Sequence, residues 1–216
     1  MVTKQMADNS EVFRKQPRQS RSRAVVSAIL GAAEEVVSRG EDTETFSLQG
    51  LARRAGVGIG SLYDYFATRD GVLGALLNRV SEDNFERLVR EVDAFGQLPI
   101  EQLMPLMVKA ALRVYLDNPK RTRTLVLTIG RLGWMKAVVS ERDRFARLLS
   151  TRVVQAHPRV DPAHAKVVAE VLCDALIGVV LGELWRERTP AERAQVEAEL
   201  EALVVSAVRG LTTPRQ

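Results

Sequence analysis

Apolar residues recur every three or four positions along most of the chain, and strand-like alternation is nearly absent. Val25 or Val26, Ile29, Ala32 or Ala33, and Val36 predict a first helix with a stop at Gly40. Ser47 is placed to cap a short second helix ending at Ala55, and a third runs roughly from Gly58 to Phe66. Thr68 precedes a fourth helix, with Asp70 in the first turn where a carboxylate suits the dipole. Gly96-Gln97-Leu98-Pro99 breaks the pattern; Pro99 opens the next helix and Pro105 is expected to kink it. Asp117-Asn118-Pro119, Gly130 to Gly133, and His157-Pro158 to Asp161-Pro162 mark further breaks. Thr189-Pro190-Ala191-Glu192 places proline at the first helical position inside a capping box. The prediction is an all-α chain of about nine helices.

Residues 46–70 carry the most specific local pattern. Leu48, Leu51 and Ala52 form one apolar face, Gly56 interrupts it, and Leu62, Tyr65 and Phe66 resume it. A small residue at a close crossing, a glycine able to turn left-handed, and aliphatic anchors on both sides give helix-turn-helix spacing. A pair of helices joined this way can lay the second into the major groove of DNA. The same geometry also serves as plain packing, so the surroundings matter. Arg14, Lys15, Arg18, Arg21 and Arg23 lie within 14–23 with no acid among them, a cationic arm directly before the first helix. A basic tail alone is usually a solvated tail; next to this motif it favours DNA. Gly56-Val57-Gly58-Ile59-Gly60 is not a phosphate loop, because no strand precedes it and no lysine follows in the required place.

Composition adds limits. The 216 residues are 46% apolar and 27% charged with a net charge of +4, an ordinary globular balance. One cysteine allows no intramolecular disulfide and suits a reducing cytoplasm. The first residues are polar, unlike a signal peptide, and the apolar run Val171–Gly182 is short for a membrane span and contains Asp174. A cytoplasmic protein with no membrane partner is expected.

Basic arm, three-helix headpiece and six-helix body in that order resemble the TetR family of bacterial transcriptional regulators. The resemblance is carried by Ile29-Leu30 with Ala32-Ala33, then Phe46, Leu51-Ala52, Ala55-Gly56-Val57, and Gly60-Ser61-Leu62-Tyr63-Asp64-Tyr65-Phe66 with Arg69. It implies a flexible basic arm over 1–19, a helix-turn-helix DNA-binding domain over 20–70, and a helical effector-binding and dimerisation domain over 71–216. It further implies a homodimeric repressor that binds a palindromic double-stranded operator and answers to a small-molecule effector, with no cofactor.

Matched residue by residue, the resemblance turns Ile59, Gly60, Ser61, Tyr63, Asp64 and Tyr65 toward DNA and Leu62 and Phe66 toward the core. Ile59 suits a thymine methyl and Ser61 a base edge, while the tyrosine hydroxyls suit phosphate oxygens. Arg69 stands where the family has a backbone-clamping lysine, and Gln49 where some members reach a base. Arg18 and Arg21 add phosphate contacts from the arm. Gly58 replaces the usual Ser or Thr cap, a loss of a few tenths of a kcal/mol. Asp64 is a departure that repels DNA unless it accepts from a cytosine amino group.

In the body, Val171, Ala175, Gly178 and Gly182 on the eighth helix and Leu200, Leu203, Val204 and Ala207 on the ninth are the expected dimer interface, the alternative being packing within one chain. Met104, Met107, Leu127, Trp134 and Phe145 are candidate pocket residues, each also compatible with plain core; Asp174 is a further candidate that needs a partner if buried, the alternative for it being a hydrogen bond at the dimer interface. Residues 119–152 hold nine Lys and Arg against Glu141 and Asp143, which fits an anionic effector but better a solvated face or a DNA-proximal surface. No catalytic or metal site is expected: His157 and His164 lack metal spacing, and Cys173 lies among aliphatics where a thiol is usually inert. The competing reading is an all-helical small-molecule-binding protein or enzyme without specific DNA binding.

Overall fold

The computed structural model describes residues 12–17, 19–41, 43, 46–95 and 98–212. Among them are nine helices and no strand: α1 Ser20–Ser38, α2 Leu48–Arg54, α3 Ile59–Tyr65, α4 Arg69–Ala94, α5 Ile100–Leu116, α6 Pro119–Arg131, α7 Met135–Ala156, α8 Pro162–Trp185 and α9 Pro190–Thr212. The capping signals act where the sequence places them. Ser47 accepts from the Gly50 N–H at 2.9 Å, and Thr68 from the Gly71 N–H at 3.1 Å. Asp161 accepts from the N–H groups of Ala163 and His164, each at 3.2 Å, with Pro162 at the first helical position. At Thr189 the box closes both ways: its N–H donates to Glu192 at 2.7 Å and the Glu192 N–H donates back to its hydroxyl at 3.3 Å. The bonds it accepts from Thr189 hold the Glu192 carboxyl below the usual glutamate range. Pro105 lies inside α5, which continues through it to Leu116.

The chain forms two compact units, one of the described residues up to Glu82 with Asn118–Ser140, the other of Asp83–Asp117 and Glu141 onward. The first unit therefore takes in α6, which the resemblance places in the domain over 71–216. Its reason is packing: α6 lies against α1, and the Thr43 and Thr128 hydroxyls meet at 3.2 Å in a buried hydrogen bond. Glu34 of α1 pairs with Arg79 of α4 at 2.5 Å and with Arg121 of α6 at 3.0 Å. Ile29, Leu62, Phe66, Val72 and Leu76 are wholly buried in the same core.

In the second unit α9 packs on α5 and α8, and Met104, Val153, Leu184 and Val208 are fully buried. Phe85 and Phe145 approach at 5.2 Å, Tyr115 meets Phe145 edge-on at 6.4 Å, and the Arg144 guanidinium sits 3.6 Å over the Phe85 ring. Burial, and then the neighbouring Glu141 and Cys173, raise the Tyr115 hydroxyl well above its ordinary pKa. Cys173 is likewise pushed up, to about 12, by burial. Thiolate is the reactive form, so native Cys173 is expected to react with a disulfide reagent at neutral pH more than about a thousandfold slower than in denaturant. Equal rates would show that the thiol is not held in the packed interior.

Several expectations for the body change. Leu127 on α6 is 60% exposed and Trp134 packs against the first unit's core, whereas Met104, Met107, Phe145 and Asp174 belong to the second unit. Met104 is wholly buried, and Met107 and Phe145 are packed with Leu88, Val92, Ala110, Ala111 and Leu176. Asp174 is not a buried carboxylate in need of a partner; it is exposed and pairs with Arg142 at 3.2 Å. None of these six lines the open groove of about 450 Å³ in the second unit, which is bordered by Pro105, Ala198, Glu201, Ala202, Val205, Ser206 and Arg209. Four of the nine cations of 119–152 pair with acids from elsewhere in the chain: Arg121 with Glu34, Arg131 with Asp70, Arg142 with Glu170 and Asp174, Arg152 with Asp93. That pairing weakens the argument for an anionic effector.

Candidate nucleic-acid interface

The turn between α2 and α3 is set by Gly56, whose φ of +66° is left-handed backbone that a side chain would strain. The Val57 N–H then donates to the Ala52 carbonyl at 3.0 Å, closing the end of α2. Leu51, Ala52 and Leu62 are buried where α1, α2 and α3 meet. Leu62 and Phe66 are both fully buried, and together they fix which face of α3 points outward. On that face Ile59 is 39% and Tyr63 44% exposed, with Gly60 and Asp64 also exposed and Ser61 half-buried. Gln49 on α2 is exposed as well.

Two expected contacts sit differently from a fully outward face. Tyr65 is half-buried and packs on the core, with its carbonyl accepting from the Arg14 N–H at 2.9 Å. Arg69 is half-buried and stacks its guanidinium 5.9 Å from the Phe46 ring centroid, so its stem is held by an aromatic neighbour. Arg21 is exposed on the first turn of α1, while Arg18 lies outside the described residues.

Residues 12–14 depart from the free arm expected over 1–19. Val12 is 2% exposed within the first unit's core, and the Phe13 ring lies 5.1 Å from that of Phe66. The basic run masks this anchor in the sequence; its signal there is the pair Val12-Phe13, two large apolar residues in front of the charges.

The expected dimer residues also divide. Leu200 and Val204 are 4% and 5% exposed and belong to the second unit's own core, a correction to their expected place at an interface. Their burial follows from α9 packing on α5. Leu203 is 50% exposed, and Val171 is 60% exposed; Gly178 is exposed, and Ala175, Gly182 and Ala207 are half-buried. With Val171, a continuous exposed line on α8 comprises Val167, Asp174, Gly178, Leu181 and Trp185.

No helix among the described residues is long and apolar enough to cross a membrane, and none of their His, Cys, Asp and Glu side chains group as a metal site.

A family model described as bacterial regulatory proteins, tetR family, matches residues 29–76, and one described as Tetracyclin repressor-like, C-terminal domain, matches residues 99–206. No curated protein matches the sequence. Among solved structures, a transcriptional regulator from Cytophaga hutchinsonii aligns with a TM-score of 0.67 at 15% identity, over 87% of this chain and 98% of that one. A transcriptional regulator from Rhodococcus sp. Rha1 aligns with a TM-score of 0.61 at 18% identity, over 91% and 100%. NalD of Pseudomonas aeruginosa, the secondary repressor of the MexAB-OprM multidrug efflux pump, aligns with a TM-score of 0.56 at 21% identity, over 91% and 100%. At these identities the likeness is one of fold. The two matched regions together take in both the outward-facing helix α3 and most of the helices that follow it in sequence, and the chain belongs to the TetR family of bacterial transcriptional regulators.

Proposed function

We propose that the protein is a sequence-specific, homodimeric repressor that binds a palindromic operator and is controlled by a small-molecule effector. The observation that carries this reading is α3 itself. Leu62 and Phe66 anchor it in the core while Ile59, Gly60, Tyr63 and Asp64 stand exposed on its other face. As the second helix of a helix-turn-helix, a helix held by one face can lay the other against base edges in the major groove. Ser61 and Gln49 supply further hydrogen bonds, and Arg21, Tyr65 and Arg69 serve the phosphate backbone.

One seven-residue helix reads too few bases to single out an operator, so two copies must act together. Val167, Val171, Asp174, Gly178, Leu181 and Trp185 recur at alternating spacings of four and three on α8. That is the 3.5-residue period of helices packed at a shallow crossing angle, and the exposed glycine allows close approach. A second copy of the chain is the occupant of this line, with Leu203 of α9 at its side. Two recognition helices one DNA turn apart, roughly 34–36 Å, then reach successive major grooves. An effector acts by moving α4, which begins in the first unit and ends in the second, and so changes that separation.

Footprinting on the DNA upstream of its own gene tests the reading. The expected result is one protected inverted repeat, with affinity falling steeply as salt rises. Equal retardation of any duplex would make it a sequence-blind binder, and no retardation at low salt would leave a small-molecule-binding protein instead.

A further inference from the structure

The first turns of α4 contain a slot made by two absent side chains. A Cβ on Gly71 would lie 2.8 Å from the Val12 carbonyl oxygen, and one on Gly74 would lie 2.8 Å from both the Val12 Cγ2 and the Trp134 ring. Glycines inside a helix cost about 0.5–1 kcal/mol each relative to alanine. Here they are spaced one turn apart on the face where Val12 docks, with Trp134 beside the same position. The next two residues are fixed as well. Phe13 packs on Phe66, and the Arg14 N–H donates to the Tyr65 carbonyl at the last residue of α3, where a helix leaves carbonyls without a partner in the helix. Arg14, Lys15 and Gln16 then emerge exposed, beside the end of the helix whose outer face carries Tyr63 and Asp64.

We infer that residues 12–14 are a tether, and that Arg14 and Lys15 are a pre-positioned clamp for DNA phosphates flanking the groove that α3 enters. This rests on the DNA-binding reading and adds to it a second contact point whose geometry is built into the headpiece. A free tail must lose its conformational freedom on every binding event, whereas a tethered pair has already lost most of it. The run from Arg14 to Arg23 contains no acid to compete with phosphate. The clamp contributes affinity and register but no base preference.

The test uses the full-length chain on its footprinted operator and on a scrambled duplex, with affinity measured across salt concentrations. The variant R14A/K15A is expected to weaken both duplexes equally, by roughly a hundredfold per headpiece at low salt, and to lower the salt slope by about two per headpiece. Gly71→Ala keeps both charges and favours helix α4, but pushes against the Val12 backbone. It is expected to give the same loss of slope, and Phe13→Ser provides a second release of the tether. Circular dichroism establishes that each variant is folded. If R14A/K15A leaves the slope unchanged, the clamp is refuted. If it lowers the slope while folded Gly71→Ala and Phe13→Ser do not, the cations act as a free arm and the tether is refuted. A wild-type chain that binds no duplex overturns the DNA reading itself, which separates that failure from the failure of the clamp.

Discussion

Val171→Glu is expected to yield a folded monomer with operator affinity reduced by about a hundredfold to ten-thousandfold. Val171 is 60% exposed on the line of α8 assigned to the second copy, so the glutamate disturbs nothing inside its own unit. At a two-fold interface the substitution appears twice, and each carboxylate must leave water without a designed partner, a cost of several kcal/mol. Separated protomers also lose the effective concentration that makes the second headpiece bind once the first is down, which is worth 10²–10⁴ without any change in contacts to DNA. Sedimentation equilibrium and operator titration check the two halves of the claim. A Val171→Glu dimer of unchanged affinity would move the interface away from α8.

Phe66→Ala is expected to destabilise the headpiece by about 3–5 kcal/mol, a large part of the 5–15 kcal/mol that typically holds a domain. Phe66 has no exposed surface, ends α3 as its C-cap residue and stacks against Phe13. Its removal therefore opens a cavity at the point where the recognition helix, α4 and residues 12–14 converge. Urea unfolding followed by circular dichroism is expected to split into two steps, with the first unit melting early and the second near the wild-type midpoint. A single unshifted transition would mean that Phe66 is not central to that core. DNA binding falls with the first step, since an α3 without its anchor no longer presents a fixed face.

Much of this architecture was legible in the sequence because helices announce their ends. Ser47, Thr68, Asp161 and the Thr189–Glu192 box each act as the caps their residue types predict. The outward face of α3 was readable for a related reason: Leu62 and Phe66 are four apart and leave Tyr63 and Asp64 on the far side. What periodicity could not supply was the partner of each apolar face. On α9, Leu203 and Val204 are adjacent and so about 100° apart around the axis, which puts one outside and the other in the core. Both are aliphatic, and only packing on α5 separates them. Asp174 has apolar neighbours in sequence, yet the exposed line of α8 runs through it. In residues 119–152 the partners of Arg121, Arg131 and Arg152 could not be read from the local pattern, because Glu34, Asp70 and Asp93 are distant in sequence. Val12 and Phe13 were hidden in the same way, by the charges that follow them.

The two tryptophans are divided between the units: Trp134 is packed near Gly74 in the first, and Trp185 stands 49% exposed on α8 in the second. The native chain therefore carries its own pair of optical reporters. In separated protomers iodide is expected to reach Trp185 more readily than Trp134, and pairing through α8 is expected to shield it, so quenching sorts the emission into one component that reports self-association and another that reports loosening of the amino-terminal strap. Both events can be followed in one cuvette without a label.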